Sequence, residues 1–319
     1  MKNIYSIIKK AKKYLINNDI IAIPTETVYG LAGNAYSNKS VKKIFIIKKR
    51  PLFNPLIVHY VRISDLKKDC YLNENFKKLY KKFCPGPLTF ILKKKKNSRL
   101  SNYVNANQKT VAVRFPNHNI TKKLLQNLDF PLAAPSANMS SKLSAVTAAD
   151  VREEFKKKIS FIIDGGKSNI GIESTILDLV GKPTILRPGG LEIEKIEKIL
   201  KLKVKIKLKS KIIRSPGQLA FHYSPGIPVR VNVNAPKKNE AFIQFSRKFN
   251  KKNYFYLSQR GNLKEAARKL YTLLRLIKNM KYKSIAISKI PNTGLGLAIN
   301  DRLDKASYKW LKILLKLKN

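Results

Sequence analysis

The chain has 319 residues with 44% hydrophobic content, enough for two cores of ordinary size, and no apolar run approaches the roughly 18 residues a membrane helix needs. Two cysteines, Cys70 and Cys84, are too few for a disulfide scaffold or a cysteine-based zinc site, which points to a reducing cytoplasm. The formal charge of +47 invites a nucleic-acid reading, but only 13 of the 66 basic residues are Arg; Lys, Ile and Asn have A- and T-rich codons, so codon bias is read as the main source and RNA or phosphate affinity as the lesser one.

Taken in chain order, the first element is an amphipathic helix over Lys2–Asn17. Ile4, Ile7, Ile8, Ala11 and Leu15 share one face and lysines the other, without the uninterrupted apolar core of a signal peptide. A strand at Ile20–Ile23 leads into PTETVYGL (Pro24–Leu31), where small hydroxyls and one carboxylate reach the mouth of a pocket. Strands follow at Leu56–Tyr60, Leu88–Leu92, Val111–Arg114, Leu132–Ala134, Phe161–Ile163, Thr175–Asp178 and Thr184–Leu186. Helices alternate with them at Lys39–Ile47, Glu74–Phe83, Ile120–Leu128, Ala148–Lys158 and Glu192–Leu200, with Thr147 and Asp150 as a cap and first-turn acid. Such alternation predicts an α/β domain over residues 1–200.

Lys201–Lys211 alternates lysine with apolar residues and reads as a strand with one solvated face. SPGQLAFHYSPGIP (Ser215–Pro228) is a loop by composition and marks a boundary, giving a linker over 201–228. His222 and Tyr223 inside it are unusual for an idle tether. Residues 229–319 alternate again, with strands Phe255–Ser258 and Ile285–Ser288, a helix Leu263–Lys278 and a final helix ending near Leu317. This predicts a smaller α/β domain with an open parallel sheet. Gly294 and Gly296 lack the third glycine of a dinucleotide fingerprint and read as a turn.

Four groups of residues carry chemistry. Lys48, Arg50 and Asn54 follow a helix at the entry to a proline-bounded loop, where Arg can grip phosphate or carboxylate through two hydrogen bonds. Arg114 closes the apolar strand TVAVR that Thr110 starts, and a charge there needs a partner or a ligand. AAPSAN (Ala133–Asn138), with Ser140, Ser141 and Ser144 beyond it, offers hydroxyls and an amide beside small side chains, though a plain Asx or Ser turn gives the same pattern. Ile162–Leu179 and LRPGG (Leu186–Gly190) add glycine-rich turns after strands, Ser174, Thr175 and Arg187. No Ser-His-Asp or Cys-His pairing has an interpretable spacing, and the three histidines, His59, His118 and His222, do not form a metal motif. Any Mg²⁺ is therefore expected on substrate phosphates and water. The set favours positioning and charge neutralisation over covalent catalysis.

In order and spacing, PTETVYGL, KKR…NPLIVH, PGPLTFIL, TVAVRFP, AAPSAN, DGG…GIESTI and ILRPG resemble the YrdC-like threonylcarbamoyl-AMP synthases in their long two-domain form, across about residues 18–190. The PG…HY…P linker and GLGLAINDRLDKAS (Gly294–Ser307) resemble that form's second domain. The resemblance implies a twisted mixed sheet with flanking helices around a basic cavity, plus a smaller Rossmann-like α/β domain. It implies that L-threonine, bicarbonate and ATP give threonylcarbamoyl-AMP and pyrophosphate, and that a tRNA threonylcarbamoyl transferase complex takes the product. Direct contact with tRNA is left open.

By the same implication Thr27, His59, Arg114, Ala134 and Ser174 line the threonine pocket, and Arg50, Asn54, Thr110, Ser136, Ser144 and Arg187 hold ATP or the adenylate. Tyr223 covers the nucleotide from the linker. Lys48, Arg50, Ser136 and Asn138 form the family's Lys-x-Arg and Ser-x-Asn catalytic elements. The linker departs from many relatives by reading GQLAFHYSP, so its grip is expected to differ. Two other readings compete. A non-catalytic RNA-binding module would use the charge but has no need of the Thr, Ser-x-Asn and Arg positions. A hydrogenase-maturation carbamoyl-adenylate enzyme needs zinc fingers that two cysteines cannot supply.

Overall fold

The computed structural model describes residues 4–208, 213–219 and 222–316. Lys2, the end of the lysine-alternating segment at 209–211, Ala220, Phe221 and Leu317 lie outside the described residues. The first unit contains α1 (Ile4–Ile16), β1 (Ile21–Ile23), β2 (Gly30–Asn34), α2 (Asn38–Lys48), β3 (Ile57–His59), α3 (Ile63–Asp69), α4 (Glu74–Phe83), β4 (Leu88–Lys93) and β5 (Thr110–Arg114). It continues through α5 (Asn119–Gln126), β6 (Leu132–Ala133), α6 (Ala148–Phe155), β7 (Phe161–Ile162), β8 (Thr175–Asp178), β9 (Thr184–Arg187), α7 (Ile193–Leu200) and β10 (Lys205–Ile206). The ten strands form one mixed sheet in the order β10-β9-β8-β4-β5-β3-β6-β2-β1-β7.

Strand alternation gives this sheet two different faces. Val58, Val113, Phe90, Leu177 and Ile185 join the main core, against Ile44 and Phe45 of α2, Phe76 and Leu79 of α4, and Ile196 and Leu200 of α7. Ile57, Ala112, Ile91, Ile176 and Leu186 form a separate small cluster on the other face. A register shift between β8 and β9 pairs Ile176 with Arg187 and Leu177 with Ile185, leaving Leu186 as the extra residue. Regular alternation from Ile185 would send Arg187 into the core. The bulge turns it to the face of Ile176 instead.

Two local devices set neighbouring groups. Thr147 and Asp150 make a reciprocal capping box at the start of α6, as their spacing predicts. At the end of α2, Lys49 adopts the left-handed conformation (φ 49°) and its N–H bonds back to Phe45 and Ile46, which stops the helix and turns Arg50 inward.

The second unit holds β11 (Val229–Arg230), β12 (Glu240–Ser246), β13 (Tyr254–Ser258), α8 (Leu263–Asn279), β14 (Ser284–Ile287) and α9 (Leu295–Lys316). Its four strands are all parallel, in the order β11-β14-β12-β13. Four elements have no sequence forecast: β2, α3, β11 and β12. β2 follows a turn in glycine-containing chain, α3 is under two turns long, and EAFIQFS mixes polar residues into a buried strand. Among the described residues, the lysine-alternating segment pairs only at β10, whose residues are exposed.

The two units share a core. Val28, Leu143, Val146 and Ile172 of the first pack with Ala266, Ala267, Leu270 and Leu274 of α8. Gly171 makes that approach sterically feasible. A Cβ there would sit 2.6 Å from Arg268 Cα and 2.7 Å from the Ala267 carbonyl oxygen, and its φ is +82°. Gly181 also has positive φ, +102°, but nothing lies within 4 Å of a Cβ there. Gly171→Ala should therefore cost about 2–3 kcal/mol and Gly181→Ala about 1 kcal/mol in denaturant unfolding. Equal losses would show that the α8 contact does not demand glycine.

Candidate active site

The cavity on the second face of the large sheet has a volume of about 30 Å³. Its floor carries Ile57, His59 and Arg114, its sides Ala134, Ser136, Ser174 and Arg187, and its roof Pro216, Gly217, His222 and Tyr223 of the linker. Three buried guanidinium groups converge on it. Arg50 donates Nε to the Asn54 carbonyl (2.9 Å) and Nη2 to Asn54 Oδ1 and the Pro55 carbonyl, which fixes the group and leaves Nη1 for a ligand. Arg187 donates Nε and Nη2 to the Ser174 carbonyl, at 3.1 and 2.9 Å. Arg114 meets Glu26 Oε1 at 2.8 Å, but off hydrogen-bond alignment. Burial, with Arg187 nearby, lowers the Arg50 group to about 9, so it stays cationic at neutral pH.

At the Ser174 end the groups are smaller. Ser174 Oγ is 2.7 Å from Thr89 Oγ1 and accepts from Arg187 Nη2 at 3.2 Å. Among the described residues Tyr223 Oη, His59 Nδ1 and Asn54 Nδ2 lack hydrogen-bond partners, and Arg114 Nη2 and Glu26 meet only as an ion pair. Buried polar atoms are otherwise nearly always paired, so this set points to a polar ligand. Burial and Glu173 raise the Tyr223 phenol to about 12, so it is a neutral donor. Among the described residues no group of three or more His, Cys, Asp or Glu forms a cage for a metal ion. No described helix is long and apolar enough to cross a membrane.

The cavity brings together Arg50, His59, Arg114, Ala134, Ser136, Ser174, Arg187 and Tyr223. The other candidates stand beside it. Lys48 Nζ donates to the carbonyls of Ser136 (2.6 Å) and Asn138, while the Lys48 carbonyl accepts from Ser140 N–H, so this lysine holds the AAPSAN turn in shape. Burial and Arg50 lower its pKa well below the usual lysine range. Asn138 accepts from Ser136 Oγ and donates to the carbonyls of Met139 and Lys142. Thr27 Oγ1 pairs with Thr25 Oγ1 at 2.8 Å. Asn54 orients Arg50, and Ser144 donates to Glu173. Thr110 shares the face of Ala112 and Arg114, one end of the strand away.

Sequence reasoning missed Glu173, Tyr271 and Arg302, and read Glu26 only as the carboxylate of PTETVYGL at the mouth of a pocket. Glu173 lies in the cavity wall, accepting from Ser144, from Tyr271 Oη (3.0 Å) and from Arg302 Nε (3.1 Å). Burial pushes its carboxyl up, but Arg302 and Arg187 outweigh that and hold it near 2. The available signal was a carboxylate inside the apolar run GIESTIL, where a charge requires a partner.

Residues 13–189 match a protein-family model described as "Telomere recombination", that of Sua5, YciO and YrdC, and residues 191–307 match one described as "Threonylcarbamoyl-AMP synthase, C-terminal domain". The chain belongs to the Sua5, YciO and YrdC family. Among curated members it is 37% identical to the threonylcarbamoyl-AMP synthase of Pyrococcus abyssi, over 96% of each chain. It is also 37% identical to that of Bacillus subtilis, over 94% of this chain and 92% of the relative. A crystal structure of P. abyssi Sua5 complexed with L-threonine superposes with a TM-score of 0.87 at 35% identity, covering 94% of both chains. This bears out the family resemblance and the fold, a mixed α/β sheet with a second α/β unit.

Two buried histidines give the Sua5-like site a pH signature. Burial, together with Arg114, lowers His59 to about 3. Burial outweighs the pull of Glu173 and lowers His222 to about 3 as well. Unfolded histidine binds its proton near pH 6.5, so between pH 6.5 and 3 the unfolded chain holds more protons, and this part of the stability falls as pH falls. Each histidine contributes up to about 1.4 kcal/mol per pH unit in that window. Urea unfolding at pH 7, 6, 5 and 4 should show the decline, and His222→Asn should flatten it; an unchanged slope would mean His222 titrates alike in both states.

Proposed function

We propose that this chain makes threonylcarbamoyl-AMP and pyrophosphate from L-threonine, bicarbonate and ATP, for threonylcarbamoyl modification of tRNA. The observation that carries the reading is the pairing of a small hydroxyl- and arginine-lined end with three guanidinium groups and a phenol donor, in a chain that superposes along its length on the threonine-bound P. abyssi protein. In this proposal threonine occupies the end formed by His59, Arg114, Ala134 and Ser174, with Thr27 beside it. Its hydroxyl pairs with polar groups, because apolar fit alone discriminates weakly against valine. ATP enters as its Mg²⁺ complex, with Arg50, Ser136 and Arg187 on the phosphates and adenylate, Thr110 further along the floor, and Tyr223 above. Asn54, Ser144, Asn138 and Lys48 keep those groups in place.

The threonine amine takes up carboxylate from bicarbonate with loss of water. A carbamate oxygen then attacks the α-phosphate in line, and pyrophosphate leaves. Charge accumulates on the phosphorane oxygens, where Arg50 and Arg187 stabilise it without reorganising. A carbamoyl-adenylate hydrolyses readily in water, so Pro216, Gly217, His222 and Tyr223 shield it over the cavity, and the product passes to a transferase acting on tRNA.

Purified protein with MgATP, threonine and bicarbonate should release pyrophosphate, and omission of any one should stop it. Equal ATP turnover without threonine would reject the reading and favour the non-catalytic RNA-binding alternative. Arg50→Ala should lower kcat/KM by about 10³-fold, as loss of a charge-stabilising donor does, with the thermal melt retained.

A further inference from the structure

The second unit reaches the cavity through Tyr271 of α8 and through Arg302 and Lys305 of α9. Arg302 is 1% exposed. Its Nε donates to Glu173 Oε2 at 3.1 Å, and its Nη1 donates to the Pro188 carbonyl and to Asp301 Oδ2. The guanidinium carbon lies 5.3 Å from the Tyr223 ring centroid, and Tyr271 of α8 stacks at 6.0 Å from the same ring. The neighbouring Lys305 donates Nζ to the Gly217 carbonyl at 2.8 Å and to Asp301 Oδ1 at 2.6 Å. The same short stretch of α9 therefore touches the cavity wall at Glu173 and Pro188 and the roof at Gly217 and Tyr223.

Tyr223 needs such support. Its φ is +60°, a left-handed conformation uncommon for a bulky residue and kept only where surroundings impose it. Among the described residues its hydroxyl has no hydrogen-bond partner, and the ring lines the cavity with Arg50 and Arg187. A Cβ at Gly217 would fall 2.8 Å from Arg187 Cδ and 3.1 Å from the Tyr223 hydroxyl, so the linker, Arg187 and Tyr223 meet at one point. A flat cation against the ring face is a favourable contact, and arginine supplies it while its edge binds Glu173.

We propose that Arg302 is a positioning residue for the reaction: by tying the Tyr223 ring to the buried Glu173 carboxylate with one guanidinium, it makes the second unit set the roof over the nucleotide. The proposal rests on the threonylcarbamoyl-AMP synthase reading. Arg302 touches no reacting atom, and its effect passes through Tyr223. Lysine in its place keeps the charge but loses the planar fork.

The test compares Arg302→Lys, Tyr223→Ala and the double variant. Arg302→Lys is expected to raise KM for ATP about tenfold while KM for threonine stays within about twofold. The double variant is expected to match Tyr223→Ala alone, since the two residues act as one unit. Multiplying effects, or wild-type KM for ATP in Arg302→Lys, would overturn the proposal. A readout without turnover is protease nicking within residues 213–228, which ATP should suppress in the wild type and not in Arg302→Lys. Equal suppression in both would also overturn it. If the wild type releases no pyrophosphate, the functional reading fails, and nicking alone decides the coupling. Should Arg302→Lys not fold, Lys305→Met, which releases the Gly217 carbonyl and Asp301 but leaves Arg302 on Glu173, should raise KM for ATP and nicking in the same direction; no change in either rejects the anchoring of the roof by α9.

Discussion

Almost wholly buried in the cavity wall, the Glu173 carboxylate persists as an anion because distant parts of the chain bring it partners: Ser144, Tyr271 of α8 and Arg302 of α9. A buried ion pair gains little over a well-packed apolar pair, but removing one member leaves an unpaired charge at a cost of about 3–5 kcal/mol. That asymmetry ties the second unit to the first. Ser174, which follows Glu173 directly, holds Arg187 through its carbonyl, so the same anchor fixes one wall of the cavity.

The site is otherwise a product of strand geometry. Alternation along β3, β4, β5 and β8 sends large side chains to the helices and leaves a smaller set as the cavity floor. Two irregularities then supply the charge. The bulge in β9 turns Arg187 over, and the left-handed stop at Lys49 brings Arg50 back toward the floor. Neither cation is free to collapse onto a carboxylate, because Nε and Nη2 are already held, by Asn54 and Pro55 on Arg50 and by Ser174 on Arg187. A fixed array of this kind suits charge that develops during phosphoryl transfer, since it needs little rearrangement.

Lys48 shows how a functional-looking residue can work from outside. Its ammonium group is caged by two carbonyls of the AAPSAN turn, so its contribution is to hold Ser136 at the cavity edge. A lysine in a chain with 66 basic residues is easily dismissed as surface charge. Burial at 1% exposure separates this one from the solvated majority.

Local pattern alone determined much of this protein. The period of the strands and helices, the Thr147–Asp150 cap, the parallel character of the second sheet and the arginines closing apolar strands all follow from neighbours within a few residues, and the ordered motifs pointed to the family. Sequence could not show that Arg187 sits on a bulge, since register depends on the partner strand. Nor could it show that Thr27, Asn138 and Lys48 stand behind the cavity surface rather than on it. Glu173 and Arg302 are 129 positions apart in the chain. Their meeting was decided only by the tertiary structure, because pairing a buried charge is a property of the packed interior, and no local pattern records which distant side chain completes it.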